Sequence, residues 1–478
     1  MPDNKIKFGT DGWRGIISED FTFYNVRRVA QAIADYYNGP RPTPHGPRKI
    51  AVGYDTRFLS DRYAEVLSEV LSENGIEVIL SDSAIPTPML SFAVRHKKLT
   101  SGVMITASHN PAAYNGIKIK TSSGGAAGVE VTGEVERLLA KSPSRQVSAK
   151  RSKASPKGTR PLGKIKKADF TGDYIKFLRG YIDFGKLKNA KFKVLVDVMY
   201  GSGNDFIARI LKGSQIRLEF MRSERNPSFG GIRPEPILEN LHPTVARMKK
   251  DKFDLCLVLD GDADRIAGLA GRGVFISPQK ILGLLTLHLF QDRKMRGGVV
   301  KTIVGTNLID NITRKLRLKL YETPVGFKYI SNLMEENDIL VGGEEAGGMG
   351  FKGYIPERDG TLAGLLLLEM MCHRRKPMIK ILEDMEMEFG RYYYLREDLK
   401  IQNPKIKIQN FKKIKRILGK DVVEIKDYDG IKLISSDGSW LMFRASGTEP
   451  IIRVYAESKS LKRSHRLIEF GKHALHYI

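Results

Sequence analysis

Short apolar runs alternate with stretches of helical spacing along most of this 478-residue chain, and the alternation starts afresh twice. In the first segment, residues 49–54, 76–81 and 102–106 read as strands, and residues 60–73 and 90–96 as helices. Gly75 stands where a helix end favours a left-handed residue. Strands separated by helices build βαβ units and a mostly parallel sheet. The pattern restarts with a strand at 192–198, a helix at 236–250 and a strand at 253–259. It restarts again with a helix at 279–291, a strand at 298–304, helices at 308–316 and 329–336, and a strand at 339–341. From about Tyr392 the grammar changes. Residues 431–443 and 451–457 alternate like antiparallel strands, and 461–476 reads as a closing helix. The expected fold is three similar α/β domains with mixed, mostly parallel sheets, plus a smaller C-terminal α+β domain.

Residues 141–167 interrupt this pattern. They hold ten Lys/Arg and no acid, with many Ser and Pro and few large apolar side chains. Such a segment cannot bury enough surface to offset its ordering entropy, so it reads as a basic flexible insert. The expected domains are therefore 1–140, 168–272, 273–390 and 391–478. The net charge is +25, and the chain stays strongly basic without the insert. A basic chain suits nucleic acid or a site for anionic phosphates. No aromatic interleaving or nucleic-acid motif accompanies the charge, which favours small phosphates and argues against nucleic acid. Cys256 and Cys372 both lie in apolar stretches, which suits a reducing compartment and no disulfide framework. The first residues carry no apolar signal region. Apolar stretches such as 363–368 fall far short of the ~20 residues of a membrane span. The expectation is a cytoplasmic protein without membrane association.

Four loops carry chemistry. Thr106-Ala-Ser-His-Asn-Pro111 follows an apolar strand, where open α/β sheets bind ligands. Ser108 can carry a phosphoryl group if activated, with His109 and Lys118 near in sequence. The same hexamer also suits an ordinary turn. Asp260-Gly-Asp-Ala-Asp-Arg265 sets three carboxylates at alternating positions, hard oxygen ligands of the kind Mg²⁺ prefers. An EF-hand is excluded: Arg265 stands where that loop needs Gly, and its twelfth position is Gly271. Three crowded acids repel unless a cation holds them. Gly342-Gly-Glu-Glu-Ala-Gly-Gly348 offers close backbone approach and two acceptors for sugar hydroxyls, or else a tight turn with solvated glutamates. Upstream, Lys328 sits on a Gly-bearing turn and can meet a phosphate or stay on the surface. Arg444-Ala-Ser-Gly-Thr-Glu-Pro450, with Arg453, combines forked donors, hydroxyls and a Gly-opened backbone, a phosphate clamp by composition.

At these residues the sequence closely resembles the α-D-phosphohexomutase family, essentially end to end apart from the insert. It opens with Phe8-Gly-Thr-Asp-Gly-Trp-Arg-Gly15, similar to the family's N-terminal signature, whose arginine here is Arg14. The resemblance implies four domains around a central cleft. It makes Ser108 the phosphorylated residue and Asp260, Asp262 and Asp264 the Mg²⁺ ligands together with the Ser108 phosphate, with Arg265 beside them. Tyr114-Asn-Gly-Ile-Lys118 matches the segment whose lysine assists proton transfer, and a base role requires Lys118 to be neutral. Gly343, Glu344, Glu345 and Ala346 match the sugar-binding loop. Arg444, Ser446, Gly447, Thr448 and Arg453 match the phosphate-binding loop. Two positions depart from the family pattern: Ala346 replaces a usual Ser, and Gly348 stands where some members place a His proposed as proton carrier.

The resemblance implies a phosphohexomutase interconverting hexose 1-phosphate and hexose 6-phosphate, with hexose 1,6-bisphosphate as intermediate and activator. Glucose phosphate is the expected substrate, with mannose phosphate or dual activity the alternative. Phosphoglucosamine is less expected, because that branch usually has Ile-Ser-Ala-Ser and a Gln in the sugar loop, where this chain has Ile105-Thr-Ala-Ser and Glu345. A metal-dependent phosphatase using Asp260 as an aspartyl-phosphate is a more distant reading. The expected partners are small-molecule hexose phosphates, and the expected assembly is a monomer or homodimer.

Overall fold

The structure is a computed structural model that describes residues 6–9, 11–39, 48–141, 162–400, 408–445 and 451–477. It holds four sheets. The first runs in the order Trp13–Ile16, Tyr114–Lys120, Ser101–Ile105, Lys49–Tyr54, Glu77–Ser81, Ile165–Ala168, the last four parallel and the first two antiparallel. The second pairs Arg217–Met221, Lys193–Asp197 and Leu255–Leu259 in parallel and adds the meander Ile266–Ala270 and Val274–Ile276. The third sets Leu320–Thr323, Gly298–Thr302 and Ile339–Gly343 parallel, with Met349–Phe351 antiparallel at its edge. The fourth is wholly antiparallel, and the helix Leu461–Tyr477 packs on it. Three α/β units and a different C-terminal unit are thus present, with mixed sheets.

Helix Ser60–Glu73 has the bounds its spacing predicts. It buries Tyr63, Ala64, Leu67, Val70 and Leu71 on one face, and Gly75 ends it at φ +77°. The helix expected at 236–250 is shorter, Pro243 sitting in the first turn of His242–Asp251. A proline there lacks the N–H and clashes with the carbonyl four residues back, so the helix starts at it. The apolar stretch at 363–368 is the centre of Gly360–Arg374, buried from Gly360 to Met371. An all-round apolar helix needs apolar neighbours on every side. This one packs on strands of the second sheet and helices of the third unit, within a core that runs without a break from Phe92 of the first unit to Phe389.

The flexible insert needs correction at both ends. Lys141 closes the helix Val129–Lys141. At the far end, Ile165–Ala168 pairs in parallel with Val78–Ser81 as an edge strand. Gly163 anchors it: its N–H donates to the Ser72 carbonyl (2.8 Å) and its carbonyl accepts from Ser72 Oγ (2.7 Å). Residues 164–167 are exposed. An edge strand stays soluble with lysines on it, so its composition resembles that of a linker. Residues 142–161 of the insert lie outside the described residues.

Candidate active site

Loops from the carboxyl ends of Ser101–Ile105, Leu255–Leu259 and Ile339–Gly343 meet in a cavity of about 910 Å³, whose far wall is the fourth sheet. Ser108 is fully buried and holds φ +52°. A non-glycine residue stays in that region only when its surroundings enforce it. Arg57 does so. Its guanidinium donates to the carbonyls of Ser108 and Asn110 (both 2.6 Å), Pro111 (2.8 Å) and Tyr114 (3.0 Å). Asp55 holds Arg57 Nε at 3.2 Å and accepts from Thr106 Oγ1 at 2.6 Å, which in turn accepts from the Ser108 N–H (2.9 Å). The hydroxyl of Ser108 donates to Asp260 Oδ2 (2.9 Å) and lies 3.4 Å from His109 Nδ1. A Cβ on Gly261 would stand 2.4 Å from the Ser108 carbonyl oxygen, so glycine lets these two loops touch.

Asp260, Asp262 and Asp264 are fully buried, and one oxygen of each lies within 4.8 Å of the others. Burial and the two neighbouring carboxylates push Asp260 well above the usual carboxylate range. Asp262 Oδ1 and Asp264 Oδ1 are buried without a hydrogen-bond donor among the described residues. A buried carboxylate oxygen without a donor is costly. Converging hard oxygens, mutual repulsion and two undonated oxygens fit a divalent cation.

Lys118 Nζ reaches Asp262 (2.8 Å), Asp264 (2.9 Å) and Asp11 (2.9 Å). Burial favours the neutral amine, but these three carboxylates outweigh it and raise the Lys118 pKa. The sequence reading needs a neutral Lys118; in this arrangement it is an ammonium. His109 is driven the other way by burial and by Arg265 and Arg14, so its imidazole is neutral. Arg14 Nη1 donates to Asn110 Oδ1 (2.7 Å), and Arg265 Nε lies 3.7 Å from Asp264 Oδ1.

Glu344, Glu345, Ala346 and Lys328 line the cavity. Burial raises the Glu344 pKa to about 7 against the pull of Arg358. Thr302 Oγ1 donates to Glu345 Oε2 (3.0 Å). Gly343 does not join the wall: it lies in the strand with its Cα turned to Leu282. Gly348 has a steric cause, because a Cβ there would lie 2.1 Å from Arg358 Cδ. Arg358 fills that space and meets Glu344 (3.3 Å), Asp264 (2.8 Å) and Asp11. Arg444 and Arg453 face each other across adjacent strands and line the cavity. Ser446, Gly447 and Thr448 lie outside the described residues.

Sequence reasoning missed Asp11, Asp55, Arg57, Thr87 and Arg358. Thr87 donates to Asp262 Oδ2 (2.6 Å) and ties the first unit to the metal loop. A signal existed for one pair: Asp55-Thr-Arg57 follows the strand Lys49–Tyr54 directly.

Four models of phosphoglucomutase/phosphomannomutase domains match the chain in order: α/β/α domain I over residues 5–146, domain II over 172–273, domain III over 277–389 and the C-terminal domain over 398–470. A phosphoglucomutase/phosphomannomutase of Thermococcus kodakarensis is 29% identical over 97% of both chains. A provisionally named phosphoglucosamine mutase of Thermococcus gammatolerans is 31% identical over 97% of this chain and 96% of its own. The crystal structure of a provisionally named phosphomannomutase of Thermus thermophilus superposes with a TM-score of 0.85, at 32% identity over 99% of each chain.

Proposed function

The chain belongs to the phosphoglucomutase/phosphomannomutase family, whose members are phosphotransferring isomerases, and we propose that it interconverts glucose 1-phosphate and glucose 6-phosphate through a phosphoserine at Ser108. One observation carries this reading. The buried Ser108 hydroxyl touches Asp260 of a cation-compatible triad, and their chain neighbours His109 and Arg265 line a cavity that offers sugar acceptors and guanidinium groups. Mg²⁺, held by Asp260, Asp262, Asp264 and a Ser108 phosphate oxygen, would supply charge neutralisation for phosphoryl transfer.

A hydroxyl of the hexose phosphate attacks the phosphorus, and the P–Oγ bond of Ser108 breaks. The product is a hexose 1,6-bisphosphate, which turns in the cleft and returns its other phosphoryl group. Arg265 stabilises the charge on the transferring group. Glu344 and Glu345 accept from sugar hydroxyls, while Arg444, Arg453 and the 446–448 segment hold the phosphate that is not reacting. Lys118 can take the hydroxyl proton only after its ammonium has given a proton to solvent or to a neighbouring carboxylate, which the carboxylates around it oppose unless they are engaged elsewhere. Units of 1–168, 169–276, 277–390 and 391–478, with the edge strand Ile165–Ala168 in the first and Val274–Ile276 in the second, suit one loop per unit. Among the described residues no helix is long and apolar enough to cross a membrane, and free Cys256 and Cys372 support a cytoplasmic setting.

The test is a set of coupled assays on one preparation with glucose, mannose and glucosamine 1-phosphates. Glucose 1-phosphate should have the highest kcat/KM, with mannose 1-phosphate second. A clear preference for glucosamine 1-phosphate overturns the substrate, and release of inorganic phosphate without isomerisation overturns the reaction.

A further inference from the structure

One face of the fourth sheet carries more positive charge than the phosphate-binding motif accounts for. Arg444 lies directly opposite Arg453, and Asp398 is opposite Arg453 on its other side. Two residues along, in the next row of the same face, Arg396 stands opposite Tyr455, with its guanidinium 6.0 Å from that ring. Like charges directly opposite in a sheet destabilise it, so such a cluster needs counter-charge. Two aspartates supply part of it: Asp429 accepts from Arg444 Nε (2.9 Å), and Asp398 accepts from Arg396 Nε (2.8 Å) and Nη2 (2.7 Å) while lying 3.5 Å from Arg453 Nε. Asp398 is thus shared between Arg396 and Arg453.

The two bonds to Asp398 fix Arg396 in one orientation and leave its Nη1 without a partner among the described residues. The side chain is one-third exposed, and the space it opens on is the catalytic cavity, whose lining also includes His109. A guanidinium held by a fork on one edge offers a rigid donor edge on the other, the geometry that suits a phosphate.

We propose that Arg396 is a third phosphate-binding guanidinium of the fourth sheet, with Asp398 its positioning residue. The proposal rests on the phosphohexomutase reading. Arg396 extends the grip beyond Arg444 and Arg453, so that a bisphosphate keeps a contact while it turns.

The test uses the full chain, with inorganic phosphate and glucose 1,6-bisphosphate as probes. In Arg396→Gln, the inhibition constant for inorganic phosphate and the KM for glucose 1-phosphate should each rise about tenfold or more. Tm should stay near that of the wild type, and dependence on added bisphosphate should increase. Arg396→Lys keeps the charge and loses the fork, and should recover part of the phosphate binding. Unchanged phosphate inhibition in Arg396→Gln with Tm preserved overturns the proposal. If Arg396→Gln loses its fold, Arg396→Lys decides: weakened phosphate binding supports the proposal and wild-type binding overturns it. Calorimetric titration with phosphate separates the two readings. A wild type without mutase turnover defeats the functional reading, while the titration still reports whether Arg396 binds phosphate.

Discussion

At the scale of single residues, the cavity sets groups in protonation states their types do not imply. Glu344 is pushed up to about 7 because burial outweighs Arg358 beside it. The folded protein then holds this proton to higher pH than an unfolded chain. Between the ordinary glutamate range and about 7, the folded state binds more protons, and this group makes stability fall as pH rises. Only the carboxylate is a full acceptor for a sugar hydroxyl, so kcat/KM should rise with pH through about 7. In Glu344→Gln that limb should vanish and activity should fall at all pH values. A profile of Glu344→Gln with the same limb would assign it to another group. The loops that carry this chemistry were legible in the sequence because each is a contiguous run of special residues after an apolar strand. Arg358 was not legible. It is one arginine in Glu357-Arg-Asp359, and its partners Asp11, Asp264 and Glu344 come from three separate parts of the chain.

At the scale of elements, periodicity worked where one face is buried. Ser60–Glu73 could be read to the residue because Tyr63, Leu67, Val70 and Leu71 repeat at helical spacing. It failed at Ile165–Ala168, where residues 164–167 are exposed and backbone pairing, not a buried apolar face, makes the strand. Gly163 makes that strand testable. A Cβ there would lie 2.0 Å from the Ile76 carbonyl oxygen, closer than non-bonded heavy atoms can approach. Gly163→Ala should therefore cost about 1–3 kcal/mol, in the range of overpacked sites. Chemical denaturation measures it. A neutral change would mean that residues 163–168 are as loosely held as their composition suggests.

At the scale of the molecule, one core joins the second and third units and takes in one side of the first unit's sheet, while the other side of that sheet and the fourth unit pack around cores of their own. The helix Gly360–Arg374 is central to the shared core, and Leu366 on it is fully buried. Leu366→Ala should cost about 2–5 kcal/mol. Calorimetry should show the first three units still unfolding together, several degrees lower. Separate transitions for the three would contradict a continuous core. The shared core holds three loops in register, and the fourth sheet closes the cavity through an apolar contact of Trp440, Met442 and Tyr455 with Ile303 and Val304. The measurement that bears most directly on this account is phosphopeptide mass analysis of the wild type before and after one addition of excess glucose 1-phosphate, with and without chelator. The account predicts phosphate on Ser108, transferred to the sugar as glucose 1,6-bisphosphate in a single turnover, with transfer suppressed by the chelator and mutase activity lost in Ser108→Ala. Unphosphorylated Ser108 in an active enzyme, or a Ser108→Ala variant of near-native activity, would contradict it.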